Sequence, residues 1–92
     1  MKRIHITIHG TVQGVSFRSD ARFVAKNLQL TGWVRNNANG TVEINAEGEE
    51  DKLKELYRWC QRGSRNAQVE KTECEWQPAT KEFKQFVVKD IK

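Results

Sequence analysis

Residues 4–18 read IHITIHGTVQGVSFR, and this stretch decides the fold class because it passes from one periodicity to another. Isoleucines alternate with polar residues over residues 4–9, which predicts a β-strand with one buried face. Two glycines interrupt the alternation within residues 10–17, which predicts a loop. Apolar residues then recur at helical spacing, so an amphipathic helix is expected over residues 18–28.

The rest of the chain adds strands and a second helix. Residues 31–36 and 42–47 alternate again, and the Asn-Ala-Asn-Gly segment between them favours a hairpin, because Asn and Gly tolerate positive φ. A helix is expected from an acidic first turn at residues 49–51 to a stop at Gly63. Two further strands are predicted: residues 69–76, with Thr72, Cys74 and Trp76 on one face and Pro78 beyond the end, and residues 83–88, with Phe86 and Val88 pointing inward.

The element order is therefore β-α-β-β-α-β with a short extra C-terminal strand. This is the order of the split β-α-β, or ferredoxin-like, arrangement, and the fold class is α+β. We expect an antiparallel sheet with two helices on one face, in a single domain over residues 1–92. The other face is expected to meet water, and it carries His5, His9, Glu43, Asn45 and Glu47.

Composition and charge limit the function classes. The chain of 92 residues has a net charge of +4, which favours anionic partners, but the basic residues are spread along it. The sequence contains no apolar run of membrane-spanning length and no signal-peptide core, so we expect a cytoplasmic location and no membrane partner. Cys60 and Cys74 lack metal-ligand spacing; reduced core thiols are expected, and a disulfide between them stays open.

The loop over residues 12–18 has the features of an anion site. A strand-to-helix loop can turn successive backbone N–H groups toward one centre, where the helix dipole adds positive potential. Gly14 permits close approach of the backbone to a ligand, and Arg18 adds a permanently charged fork that matches phosphate oxygens. An ordinary β-to-α loop with a surface arginine fits the same residues.

Asn36 is the second candidate. It shares the parity of Val34 and therefore faces the helices. A polar amide on a buried face must find partners. Either Asn36 caps a local backbone group, or it borders a cavity below the first helix and holds a water there.

Two stretches resemble the signatures of the acylphosphatases. Residues 8–18, IHGTVQGVSFR, resemble the first signature, and residues 32–36, GWVRN, with GTV at residues 40–42 and Gly48, resemble the second. The resemblance implies hydrolysis of the carboxyl–phosphate anhydride of acyl phosphates to a carboxylate and inorganic phosphate, with no cofactor. Arg18 and Asn36 would be catalytic, with Asn36 orienting the attacking water while a phosphate oxygen of the substrate accepts its proton. Phosphate would be bound at the backbone amides and side chain of these residues: Gln13, Gly14, Val15, Ser16, Phe17 and Arg18.

Other readings of the sequence are weaker. His5 and His9 lie four residues apart on a strand, roughly 13 Å, so one metal ion cannot join them, and we expect no metal requirement. A ferredoxin-like nucleic-acid-binding module is an alternative, but the open face lacks the aromatic consensus and carries Glu43 and Glu47. A non-hydrolytic acylphosphatase-like domain is a further alternative. We expect a monomer that binds no nucleic acid.

Overall fold

The computed structural model describes residues 1–89. The elements follow the predicted order and are β1 (Lys2–Thr11), α1 (Phe17–Asn27), β2 (Thr31–Asn36), β3 (Val42–Gly48), α2 (Glu50–Arg62), β4 (Gln68–Pro78) and β5 (Phe86–Lys89). Two helices pack on one face of a five-stranded sheet of strand order β4-β1-β3-β2-β5, with α1 over β2 and β5 and α2 over β1 and β4. No helix among the described residues is long and apolar enough to cross a membrane.

The sheet is mixed, whereas we expected antiparallel pairing throughout. Strand β1 pairs antiparallel with β3 and β4, and β2 pairs antiparallel with β3. Strand β5 lies parallel to β2, with Gly32 opposite Phe86 and Arg35 opposite Lys89. The reason is the direction of β4: it runs opposite to β2, so a chain that reverses once after β4 returns alongside β2 in the same direction.

The core lies between the sheet and the helices, where the periodicity places it. Ile4, Ile6 and Ile8 of β1 are fully buried, and burial of such a side chain contributes about 1.5–3 kcal/mol. Alternate residues of β2 and β3 and one stripe of each helix join them. The larger core also contains Phe17, Ala21, Ala25, Val34, Val42, Ile44, Ala46, Leu53, Leu56, Cys60 and Phe86.

Strand β4 departs from the prediction because it lies at the edge of the sheet. Cys74 and Trp76 sit opposite Ile6 and Ile4 on the helix-facing side, yet Cys74 is exposed and Trp76 is 40% exposed. Helix α2 does not reach over them, so the expectation that Cys74 is a core thiol is wrong. Cys60 is buried as expected, burial raises the pKa of its thiol, and neither cysteine forms a disulfide.

The prediction that Glu47 meets water is also wrong, because Glu47 is buried, with 4% exposure. The chain between β4 and β5, residues 79–85, folds against it. The backbone N–H groups of Thr80 and Lys81 each donate to its carboxylate at 2.9 Å, and Arg3 Nε donates at 2.8 Å. Burial alone would raise the pKa of Glu47, but these donors hold the pKa below its ordinary value.

Gly10 lies at an irregularity in the pairing of β1 with β4, close to the end of β1. The register between β1 and β4 shifts between His9 and Gly10, and the φ of Gly10 is 131°. A Cβ at this position would lie 2.1 Å from the backbone oxygen of Gln68. Only glycine fits so close to the neighbouring strand at this φ, and the chain that follows forms the loop to α1.

Candidate active site

A cavity of about 160 Å³ lies where the N-terminus of α1 meets the ends of β2 and β5. Water occupies about 30 Å³ per molecule in the liquid, so the cavity has room for a tetrahedral anion with a water beside it. Its lining includes residues predicted for the site and others that were not. The lining residues are Val12, Gly14, Ser16, Phe17, Arg18, Ser19, Asn36 and Val88.

The loop before α1 alternates between left-handed and other conformations. Gly14 has a φ of 75° and Ser16 a φ of 64°, while Val15 between them has no positive φ. Such alternation directs successive N–H groups toward one concave side, which is the geometry of an anion-binding nest. A Cβ added to Gly14 would meet nothing within 4 Å, so glycine is needed there for its backbone conformation rather than for space.

The backbone N–H groups of this loop are available to a ligand. Ser16 accepts a hydrogen bond from the N–H of Asp20 at 3.0 Å, which starts the helical pattern. Within residues 1–89, no hydrogen bond is donated by the backbone N–H groups of residues 13–19. The first turn of a helix always leaves such donors unpaired, and here the loop before it adds more.

Arg18 contributes the positive charge of the cavity. Its side chain is half-buried and lines the cavity, so it is not the surface arginine of an ordinary loop. Among the described residues, its guanidinium makes neither an ion pair nor a hydrogen bond. Its planar donors therefore remain available to an anion.

Asn36 is the last residue of β2 and lines the cavity from the sheet side. Its Oδ1 is buried and has no hydrogen-bond partner among the described residues. A buried acceptor without a donor costs about 1–3 kcal/mol. Of the two interpretations made from the sequence, capping of a local backbone N–H by this oxygen is not seen among the described residues, and Asn36 does border the cavity; that it holds a water there stays a prediction.

Gln13 and Val15 are predicted site residues that do not line the cavity. The Gln13 side chain points to the turn between β2 and β3, while Val15 packs against the core and its carbonyl accepts a hydrogen bond from Ser64 Oγ at 3.3 Å. Only their backbone N–H groups belong to the unpaired set of residues 13–19.

Val12, Ser19 and Val88 line the cavity without having been predicted to do so. Ser19 follows Arg18 in the first turn of α1, and this position was the one sequence feature that could have predicted it as a lining residue. Val88 was expected to point inward and is instead 39% exposed. It shares the face of the buried Phe86 but lies further along β5, beside the opening of the cavity.

The histidines lie elsewhere, on the open face of the sheet. His5 Nε2 is hydrogen-bonded to the Glu43 carboxylate, and His9 Nε2 lies 2.8 Å from Glu73 Oε1. Burial raises the pKa of Glu43, but hydrogen bonds from His5 and Arg35 bring that pKa below its ordinary value. Within residues 1–89, no group of three side chains is arranged to hold a metal ion.

Fold and cavity together define a ferredoxin-like α+β domain with an anion-site geometry at its first strand-to-helix loop. A model of the acylphosphatase family matches residues 4–88, and this chain belongs to that family. An acylphosphatase from Pelotomaculum thermopropionicum is 44% identical over 86 residues, 94% of each chain.

Solved structures agree with the sequence relatives. The crystal structure of acylphosphatase from Bacillus subtilis matches with a TM-score of 0.92 and 32% identity, over 96% of this chain and 98% of that one. A full-length HypF structure matches 98% of this chain with a TM-score of 0.88 and 27% identity, but only 12% of the HypF chain is covered. The same fold therefore also occurs as a small part of a larger protein.

Proposed function

We propose that the backbone N–H groups of residues 13–18 and the Arg18 guanidinium bind the phosphoryl group of an acyl phosphate, and that Asn36 orients the attacking water. The protein is an acylphosphatase, and the reaction cleaves the carboxyl–phosphate anhydride to a carboxylate and inorganic phosphate. The roles of individual residues are inferred from the arrangement described above.

The loop and Arg18 suit the charge that develops during phosphoryl transfer. The transition state is loose, and its negative charge spreads over the three equatorial oxygens of the phosphoryl group. The N–H groups of the loop and the Arg18 guanidinium, which have no partner within residues 1–89, are donors that are already in place before the substrate arrives. Such preorganised donors stabilise developing charge without reorganisation during the reaction.

Asn36 supplies the complement on the opposite side of the cavity. Asn36 lines the cavity, and its side-chain amide can hydrogen-bond to a water molecule there, which fixes the water so that a lone pair points toward phosphorus. Holding water in line with the leaving group converts an encounter into a positioned attack.

The chemistry needs no protein base at this site. The leaving group is a carboxylate, which departs without prior protonation. Apart from Arg18, no residue found to line the cavity within the described part of the chain has an ionisable side chain. We infer that a phosphate oxygen of the substrate accepts the proton of the attacking water.

The single observation that carries this proposal is that Asn36, whose buried Oδ1 has no partner among the described residues, lines the same cavity as Arg18. The Arg18 guanidinium also has no partner within residues 1–89, and the cavity volume fits an anion and a water.

A substrate panel tests the proposal. Benzoyl phosphate and acetyl phosphate should be hydrolysed, simple phosphomonoesters should not, and inorganic phosphate should inhibit competitively. Activity should persist in excess chelator, because the proposal uses no metal. Equal turnover of phosphomonoesters, or loss of activity in chelator, would contradict it.

We further infer a monomeric, cytoplasmic, single-domain enzyme over residues 1–92 that binds no nucleic acid. The carboxylates of Glu43 and Glu73 on the open face support the last point, because they oppose phosphate there. The unpaired cysteines agree with a reducing compartment. Sedimentation at micromolar concentration and titration with a labelled oligonucleotide at low salt check these inferences.

A further inference from the structure

The Gln13 side chain links the loop before α1 to the turn between β2 and β3. Its Nε2 donates to the backbone oxygen of Asn37 at 2.8 Å and to the backbone oxygen of Thr41 at 2.9 Å. Both hydrogens of the side-chain amide nitrogen are thereby used. Asn37 directly follows Asn36, so the loop before α1 is tied to the chain segment that carries Asn36.

The turn that accepts these bonds is fixed within itself. The N–H of Asn37 donates to the backbone oxygen of Thr41 at 2.8 Å, and Asn37 Nδ2 donates to Thr41 Oγ1 at 3.0 Å. Thr41 Oγ1 also donates to Asn39 Oδ1 at 2.7 Å. The turn therefore behaves as one unit. These internal bonds do not determine where the turn lies relative to the loop before α1.

The two Gln13 bonds contribute to that placement. Within residues 1–89, no other hydrogen bond joins residues 12–19 to residues 36–41. The unpaired N–H groups and Arg18 lie on the first segment and Asn36 on the second. Their relative position therefore depends on this link, on the packing of α1 against β2, and on the pairing of β1 and β2 with β3.

We propose that Gln13 is a positioning residue that sets the place of Asn36 relative to the phosphate-binding loop. The inference rests on the roles proposed above for that loop and for Asn36. Attack in line tolerates little error, since a displacement of about 1 Å can cost about 10²-fold in rate. The Gln13 side chain does not line the cavity and acts through the turn, whereas only the backbone N–H of Gln13 belongs to the phosphate-binding loop.

The test compares Gln13→Met, which keeps an unbranched side chain of similar length but has no N–H donor, with Gln61→Met on the exposed face of α2. Turnover of benzoyl phosphate and inhibition by inorganic phosphate are measured for both, well below the thermal midpoint of each variant. Gln13→Met should lower kcat by about 10-fold while phosphate inhibition stays near the wild-type value, since the loop and Arg18 remain. Gln61→Met should match the wild type.

A double variant separates positioning from a merely structural role. Because Gln13 acts through Asn36, Gln13→Met combined with Asn36→Ala should be no slower than Asn36→Ala alone. Multiplying rate losses, or a Gln13→Met enzyme that is less stable but turns over normally, would overturn the inference. If Gln13→Met does not fold, Gln13→Asn, which keeps the amide but shortens the reach, is placed in the same cycle with the same expectations.

The same cycle distinguishes the two levels of the argument. If Asn36→Ala turns over like the wild type, the role proposed for Asn36 is wrong, and the role of Gln13 falls with it. If Asn36→Ala is slow but Gln13→Met acts independently of it, the role of Asn36 stands and only the positioning role of Gln13 is wrong.

Discussion

Polar groups on the sheet face opposite the helices are mostly hydrogen-bonded within the protein, whereas several around the cavity beside α1 have no partner among the described residues. On the sheet face opposite the helices, Glu47 lies under residues 79–85 and accepts hydrogen bonds from Arg3, Thr80 and Lys81, and Glu43 is hydrogen-bonded to His5 and Arg35. In the cavity, Arg18, the N–H groups of residues 13–19 and the Asn36 Oδ1 have no partner among the described residues.

This difference separates groups that serve stability from groups that remain available to a ligand. A satisfied buried polar group contributes to the native state, whereas an unsatisfied one costs stability until something binds to it. Asn45 is an exception on the open face, because its Oδ1 is also buried without a partner. It lies outside the cavity lining, which makes it a control for the comparison.

The largest effect is expected for Arg18→Ala. The guanidinium touches the anion in both ground and transition states, so kcat/KM for benzoyl phosphate should fall at least about 10³-fold and phosphate inhibition should weaken in parallel. Arg58→Ala, on an exposed part of α2, should leave both unchanged. Near-normal activity of Arg18→Ala would remove Arg18 from the site.

Asn36→Ala, measured beside Asn45→Ala, compares the two asparagines whose Oδ1 atoms are buried without a partner among the described residues. Turnover should fall by about 10²–10³-fold with little change in KM, as for loss of one preorganised polar group. The free energy of unfolding should not fall, because a buried unsatisfied acceptor is removed. Asn45→Ala should share the stability result but keep wild-type turnover; a matching loss of turnover there would break the contrast between the two regions.

Glu47→Gln tests whether the hydrogen-bonded carboxylate of Glu47 stabilises the fold. Loss of the charge leaves Arg3 without its buried partner, so the free energy of unfolding should fall by about 2 kcal/mol in urea at pH 7, with kcat unchanged in the folded enzyme. The effect depends on pH. The folded-state pKa of Glu47 is lowered, so its contribution is present above its unfolded pKa of about 4.3 and is lost as pH falls through the folded pKa.

The wild type and Glu47→Gln should therefore converge in stability on acidification. Glu55→Gln, at an exposed position of α2, is the matched control and should show little difference at either pH. A gap between wild type and Glu47→Gln that persists unchanged in acid would show that the Glu47 charge is not what stabilises this region.

The smallest effects are expected in the loop backbone. Ser16 holds a left-handed φ that costs a residue with a Cβ about 1 kcal/mol, so Ser16→Gly should raise the free energy of unfolding by up to that amount. Gly14→Ala should lower it by about 1 kcal/mol for the same reason. Urea midpoints of the two variants should move in opposite directions; shifts of the same sign would mean that φ is not the deciding factor.

Much of the fold and part of the site were predictable because they depend on neighbours along the chain. Alternation of isoleucines in β1 and the apolar stripe of α1 reflect burial of one side of a single element. Asn36 and Val34 lie two residues apart on β2, so both were predicted to face the helices, and Asn36 does border the cavity at α1. The Gly-rich loop before α1 predicted an anion site. The resemblance to acylphosphatases then connected the two.

What the sequence missed depends on the edges and ends of elements. Cys74 and Val88 have the alternation of buried residues, but Cys74 lies on edge strand β4 at a position that α2 leaves exposed, and Val88 lies near the end of β5. Glu47 has the pattern of a solvated residue and is covered by residues 79–85 from far along the chain. Periodicity reports which side of an element a residue occupies, not whether another segment lies over it.

The sequence by itself determined the order of strands and helices, the core face of each, and the loop and asparagine that make up the candidate site. The tertiary structure alone decided that β5 lies parallel to β2, that the Gln13 side chain reaches the turn after Asn36, and that Arg18 and Asn36 line one cavity. It also decided that the Arg18 guanidinium and the Asn36 Oδ1 have no partner among the described residues. The physical reason is range: side-chain alternation is set within one element, whereas a hydrogen bond or a shared cavity between separate elements is set by how those elements pack.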